Sequence, residues 1–182
     1  MGSSEDIAKR YFVMNAFDGA LTALGIILGS WLAGVSDPKI LILAGLGASI
    51  AMGVSGGFGA YLTESAIKKK EIAEFTEAML EDFENTIHHE AAKWESIFVA
   101  VVDGLSPFLG SVISFLPFIF ADSLELSMDS AYIASILTTA CTLFLLGIYL
   151  GKMSQENLLT NGIKMLVAGV VTGILVMCLD FL

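Results

Sequence analysis

Residues 11–35 read YFVMNAFDGALTALGIILGSWLAGV, a run of 25 residues whose single charge is Asp18. At about 1.5 Å of rise per residue, a helix of this length crosses the roughly 30 Å hydrocarbon core of a bilayer. Further runs of similar length and polarity follow at 39–63, 97–121, 131–151 and 158–179. Inside lipid every backbone N–H and C=O must be paired within the segment, so each run reads as a helix. The chain is therefore expected to be an all-α polytopic membrane protein with five transmembrane helices.

Whole-chain arithmetic agrees with that reading. Of 182 residues, 55% are hydrophobic and 15% charged, with a mean hydropathy of +0.79. A soluble domain carries about 25% charged residues. The net charge of −10 argues against nucleic acid and against adhesion to an anionic lipid surface, and it favours cations as partners. Cys141 and Cys178 lie in apolar runs without a CxxC pairing and read as small buried hydrophobes.

Between the second and third runs the composition changes. Residues 64–96 carry Glu71, Glu74, Glu77, Glu81, Asp82, Glu84, Glu90 and Glu95 beside Lys68, Lys69, Lys70 and Lys93. The chain thus divides into an N-terminal tail with two spans (1–63), an acidic helical insert (64–96) and three further spans (97–182). Lys9, Arg10, Lys152, Lys164 and the insert lysines fall on one side of a five-span topology, and Lys39 falls on the other. The positive-inside rule then puts the N-terminus and the insert in the cytoplasm and the C-terminus on the far side. Asp37, Asp122, Glu125, Asp129 and Asp180 lie on that far side.

Glu74, Glu77, Glu81 and Glu84 share one face of a helix at about 100° per residue, with Glu71 ahead of them and His88 continuing the face if the helix stays straight. Ile72, Phe75, Met79 and Phe83 form the opposite face. Like charges at i,i+3 and i,i+4 repel unless a cation lies among them, and a divalent metal held by Glu and His is one such cation. A solvated acidic face partly balanced by lysines is the other reading. The insert must also reverse direction, and Asn85-Thr86 or His88-His89 is the expected turn.

Two carboxylates lie within apolar spans. Asp18 opens Asp18-Gly19-Ala20-Leu21-Thr22-Ala23-Leu24-Gly25 and Asp103 opens Asp103-Gly104-Leu105-Ser106-Pro107-Phe108-Leu109-Gly110, a shared D-G-x-x-x-x-L-G pattern that implies similar depth. An aspartate at a helix centre costs about 2.5–3.5 kcal/mol on insertion scales, so such groups face a cavity, a partner or an ion path. A carboxylate can exchange a proton for a divalent ion. Met14 and Met52 can add soft thioether ligands, and methionine is also common core filler. Gly45, Ser49, Gly53 and Gly57 recur every four residues and bare one face of the second span for close helix packing or dimerisation. Pro107 and Pro117 free backbone carbonyls in the third span, which is then either broken along a polar path or simply kinked.

These residues resemble the vacuolar iron transporter family of proton-coupled exporters of cytosolic ferrous iron and related metals. The likeness rests on Asp18-Gly19-x-x-Thr22, the small-residue second span ending Gly59-Ala60-Tyr61, the acidic insert, and Gly110-Ser111-Val112-Ile113-Ser114-Phe115-Leu116-Pro117-Phe118. It implies a five-helix subunit that forms a homodimer with the ion path at the dimer interface. By position, Asp18 and Met52 line that path, while Glu74, Glu77, Glu81 and Glu84 collect metal. The expected partners are divalent metal ions, Fe²⁺ and also Mn²⁺, protons and the lipid bilayer. The membrane is the cell membrane of a prokaryote or a vacuole-type membrane of a eukaryote. Family members often have Gly-Glu-Tyr where this chain has Gly59-Ala60-Tyr61. Two other readings compete: a ferritin-like iron-oxidising site built on Glu81, Glu84 and His88, and a non-transporting assembly protein held by its glycine stripes.

Overall fold

The computed structural model describes residues 4–79, 87–121, 123–179 and 181, with side chains described for these except 4–7, 72, 75–79, 87–93 and 95. The elements are α1 (Ser4–Leu32), α2 (Pro38–Met79), α3 (Ile87–Ile119), α4 (Met128–Met153) and α5 (Leu158–Leu179). Each contains a stretch long and apolar enough to cross a membrane: Ala8–Leu32, Pro38–Glu71, Ser96–Ile119, Met128–Met153 and Leu158–Leu179. The chain is an all-helical membrane protein of five spans.

Local chemistry sets the ends of these helices. Gly34, at a φ of 69°, closes the turn after α1, a conformation that glycine adopts without strain. α2 starts on Pro38, where a missing N–H leaves nothing unpaired, and the Asp37 carboxylate accepts from the Lys39 N–H at 2.9 Å. Ser127 caps α4 by accepting from the Ser130 N–H. The Asn157 side chain does the same at the start of α5, accepting from Leu159 and Thr160.

The acidic segment begins as a continuation of two spans. α2 runs for 42 residues straight through position 64, and α3 starts at Ile87 and continues through position 97 into its span. His88 and His89 are helical, which removes them as the turn, and His88 stands on α3 instead of extending the α2 carboxylate face. Asn85-Thr86 lies outside the described residues. The third span is likewise unbroken, since Pro107 and Pro117 are both accommodated inside α3. The Ser106 hydroxyl donates to the Val102 carbonyl, and Gly19 of α1 seats directly on the Pro107 backbone. Tight packing holds the helix through the proline.

α1 packs against all four other helices and α3 against α1, α2 and α4, so these two form the centre, while α5 lies against α4 and α1. The small-residue stripe of α2 faces α3 within the same chain. Gly45 meets the Phe115 ring, the Ser49 hydroxyl lies 2.6 Å from that of Ser111, and the Gly53 and Gly57 backbones abut Gly104. At the end of the bundle away from the N-terminus, Ile27, Leu41, Phe115, Phe118 and Tyr132 form a buried apolar cluster. Tyr132 stacks on Trp31, with centroids 5.4 Å apart, and donates to the Val35 carbonyl at 2.7 Å. Apolar packing closes that end, whereas the buried carboxylates Glu64 and Asp103 lie toward the N-terminal end.

Candidate functional site

The two intramembrane aspartates have unlike surroundings. Asp18 lies ten residues beyond Ala8, the start of its span, or about 15 Å along the helix. Its side chain is exposed on the outer surface of the subunit. Met14, one turn earlier on the same face, is 54% exposed. Thr22, one turn later, donates its hydroxyl to the Met52 sulfur at 3.5 Å, which brings α2 and the half-buried Met52 beside this strip. A thioether, a carboxylate and a hydroxyl thus follow one another along α1, with a second thioether supplied by α2.

Asp103 points inward. It is 4% exposed, and its Oδ1 accepts from the Asn15 amide. Asn15 also donates to the Tyr11 carbonyl at 2.8 Å, so one side chain ties α3 to the first turns of the α1 span. On the other flank, a Cβ placed on Gly56 would stand 2.7 Å from Asp103 Oδ2. That glycine gives the carboxylate its room. Tyr11 in turn donates its hydroxyl to Glu64 Oε1 at 3.3 Å, and Glu64 is only 8% exposed.

The shared D-G-x-x-x-x-L-G pattern does not give the two spans equivalent roles. Gly19 packs on Pro107 and Gly110 packs on Ala16, but Gly25 has nothing within 4 Å. α1 and α3 run parallel, and it is Asn15 that meets Asp103. The second aspartate therefore sits about one helical turn nearer the N-terminal end than Asp18. Helix rotation separates them: Asp18 faces out and Asp103 faces in.

Sequence reasoning missed Glu64, Tyr11 and Asn15. Glu64 directly follows the apolar run, and Tyr11 and Asn15 are neutral, so composition gave no signal. Their partners are 53 and 88 residues away in the chain. A cleft of about 630 Å³ opens at this end, lined by Arg10, Tyr11, Met14, Glu64, Lys68 and Glu71 among others. It connects the start of the acidic segment with the Met14 face.

Of the expected metal set, Glu71 and Glu74 are described. Lys68 lies 3.5 Å from Glu71 at the half-buried rim of the cleft, and Lys70 lies 3.7 Å from Glu74 in a solvated surface pair. The Glu77 and His88 side chains, and residues Glu81 and Glu84, lie outside the described residues. Among the described residues, no three His, Cys, Asp or Glu side chains converge on a common point. Cys141 and Cys178 correct an expectation, because both are free and exposed on the helix surface. An apolar run in a membrane need not face the core, since lipid solvates its outer side equally well.

Residues 65–179 match the VIT family. The chain is also 33% identical over 169 residues to an uncharacterized protein of Methanocaldococcus jannaschii, covering 91% of this chain and 85% of that one. No solved structure matches it.

Proposed function

The chain belongs to the VIT family, a family of membrane metal transporters, and on that premise we propose that it is a homodimeric exporter of cytosolic divalent metal. The metal is Fe²⁺, with Mn²⁺ a second substrate, and it is exchanged for protons. The observation that carries this reading is Asp18: an ionisable side chain exposed at mid-span on an apolar outer face. Left against lipid it is costly, so it calls for a second subunit and an ion. Two copies of the Asp18–Met14 strip facing one another supply carboxylates and thioethers, a donor set that accepts iron and manganese and disfavours strongly hydrated magnesium.

In this reading the N-terminus and the α2–α3 extension are cytoplasmic. Glu71, Glu74, Glu77, Glu81, Glu84 and His88 gather metal there, and the cleft bounded by Glu64, Glu71 and Met14 is the entrance. Metal then passes Met14, Asp18 and Met52, and protons from the far side release it. The test is flux in proteoliposomes across a panel of divalent ions, with and without a pH gradient. Metal movement coupled to opposite proton movement is expected for Fe²⁺ and Mn²⁺. Absence of flux for every ion overturns the reading.

A further inference from the structure

We infer that, beyond a cytoplasmic cleft shared with the metal, the proton leg of the exchange runs inside each subunit, with Asp103 as its proton-carrying group, and parts there from the exposed Asp18–Met14 surface that takes the metal. The inference rests on the exchange reading above.

The space around Asp103 suits a proton and nothing larger. A divalent metal needs four to six donor atoms around it. Here the carboxylate meets one neutral amide, Asn15, on one side. On the other side is the bare α2 backbone at Gly56, where even a Cβ would come within 2.7 Å of Oδ2. No salt bridge among the described residues involves it. Among the described residues, the charged and titratable groups facing this end include Tyr11 and Arg10 of α1 and Glu64, Lys68 and Glu71 of α2. A carboxylate in such a place takes a proton from a hydronium ion, the donor's O–H bond breaking as one forms on Oδ2 and leaving water behind, and the reverse step hands the proton to water on the other side.

The buried face of α3 extends this polar site along the helix. Ser106, Ser111 and Ser114 follow Asp103 on that face, each at most 1% exposed, and Ser49 of α2 joins Ser111 at 2.6 Å. Among the described residues, neither the Ser114 hydroxyl nor that of Ser135 on α4 has a hydrogen-bond partner, although both are fully buried. Buried hydroxyls are nearly always paired, and an orphan in a polar file marks a place for water or a transient proton donor. At the opposite end, the Tyr11 hydroxyl and Glu64 carry the polar file to the cleft. A carboxylate flanked by hydroxyls on one side and a buried carboxylate on the other is the composition of a proton relay.

The experiment records metal and proton flux together in proteoliposomes loaded with a pH dye and a metal dye, using Mn²⁺ as the ion. In Asp103→Asn, which keeps the shape of the side chain, Mn²⁺ flux down its own gradient persists, while proton counterflow falls by roughly tenfold or more. Unchanged counterflow overturns the inference, and so does loss of both fluxes in a folded variant, because that makes Asp103 part of a shared path. If Asp103→Asn does not fold, the double variant Ser49→Ala, Ser111→Ala tests the same file. Lower proton counterflow with Mn²⁺ flux retained supports the relay, and counterflow equal to wild type overturns it. Should the wild-type protein move Mn²⁺ without protons, it is the exchange reading that fails.

Discussion

The seam between α2 and α3 gives a quantitative prediction, because the same substitution can be placed at positions that differ only in what lies opposite. A Cβ on Gly53 would stand 2.5 Å from the Gly104 carbonyl oxygen, and one on Gly104 would stand 2.8 Å from the Gly53 oxygen. Ordinary contact begins at 3.4 Å, so the shortfalls are 0.9 Å (3.4 − 2.5) and 0.6 Å (3.4 − 2.8). In both cases the obstacle is backbone, which cannot swing aside, and the helices must separate. Overpacking of this kind costs about 1–3 kcal/mol. Gly57 meets the Ala100 oxygen at 3.2 Å and should cost less, whereas Gly47 has nothing within 4 Å. Gly47→Ala should gain up to about 1 kcal/mol from helix propensity alone. The expected order of destabilisation by alanine is Gly53, Gly104, Gly57 and then Gly47, measured as denaturant unfolding in detergent micelles. Because Asp103 is the neighbour of Gly104, the Gly53 and Gly104 variants should also weaken proton-coupled flux. A Gly47→Ala variant as unstable as Gly53→Ala refutes the packing argument.

Three further outcomes are expected. Asp18→Ala should abolish metal-driven proton flux in liposomes, and near-normal flux in that variant removes Asp18 from the pathway. Tyr132→Phe keeps the stack on Trp31 but loses the hydrogen bond to the Val35 carbonyl, so thermal unfolding should show a loss of about 1 kcal/mol with transport intact. Replacing Glu74, Glu77, Glu81 and Glu84 together by Gln should lower metal binding seen by calorimetry while leaving the five-span fold in place, as judged by circular dichroism.

Much of the architecture was readable along the chain because a membrane imposes a length rule. Apolar runs of 21 to 25 residues marked all five spans, and the isolated carboxylates Asp18 and Asp103 stood out against them. The α2 glycine stripe announced a close helix contact. What remained hidden were facts that depend on rotation about a helix axis. Around Asp18 and Asp103 a few small polar residues, Asn15, Thr22 and Ser106, are scattered among apolar ones, so no continuous polar face marks which way a span points. The same pattern that gave both aspartates one depth could not say that one faces outward and the other is locked to Asn15.

Sequence by itself therefore determined the number of spans, the acidic segment between the second and third, the composition that favours cations, and the two carboxylates placed in lipid. Tertiary structure decided the partners. It matched Gly53 with Gly104 inside one chain. It also brought Glu64 to Tyr11 across 53 residues and left the Asp18 strip uncovered while burying Asp103. The physical reason is that insertion into a bilayer depends on summed hydropathy, which is a property of the linear chain. Helix association depends on backbone approach and paired polar groups, which exist only once helices lie side by side.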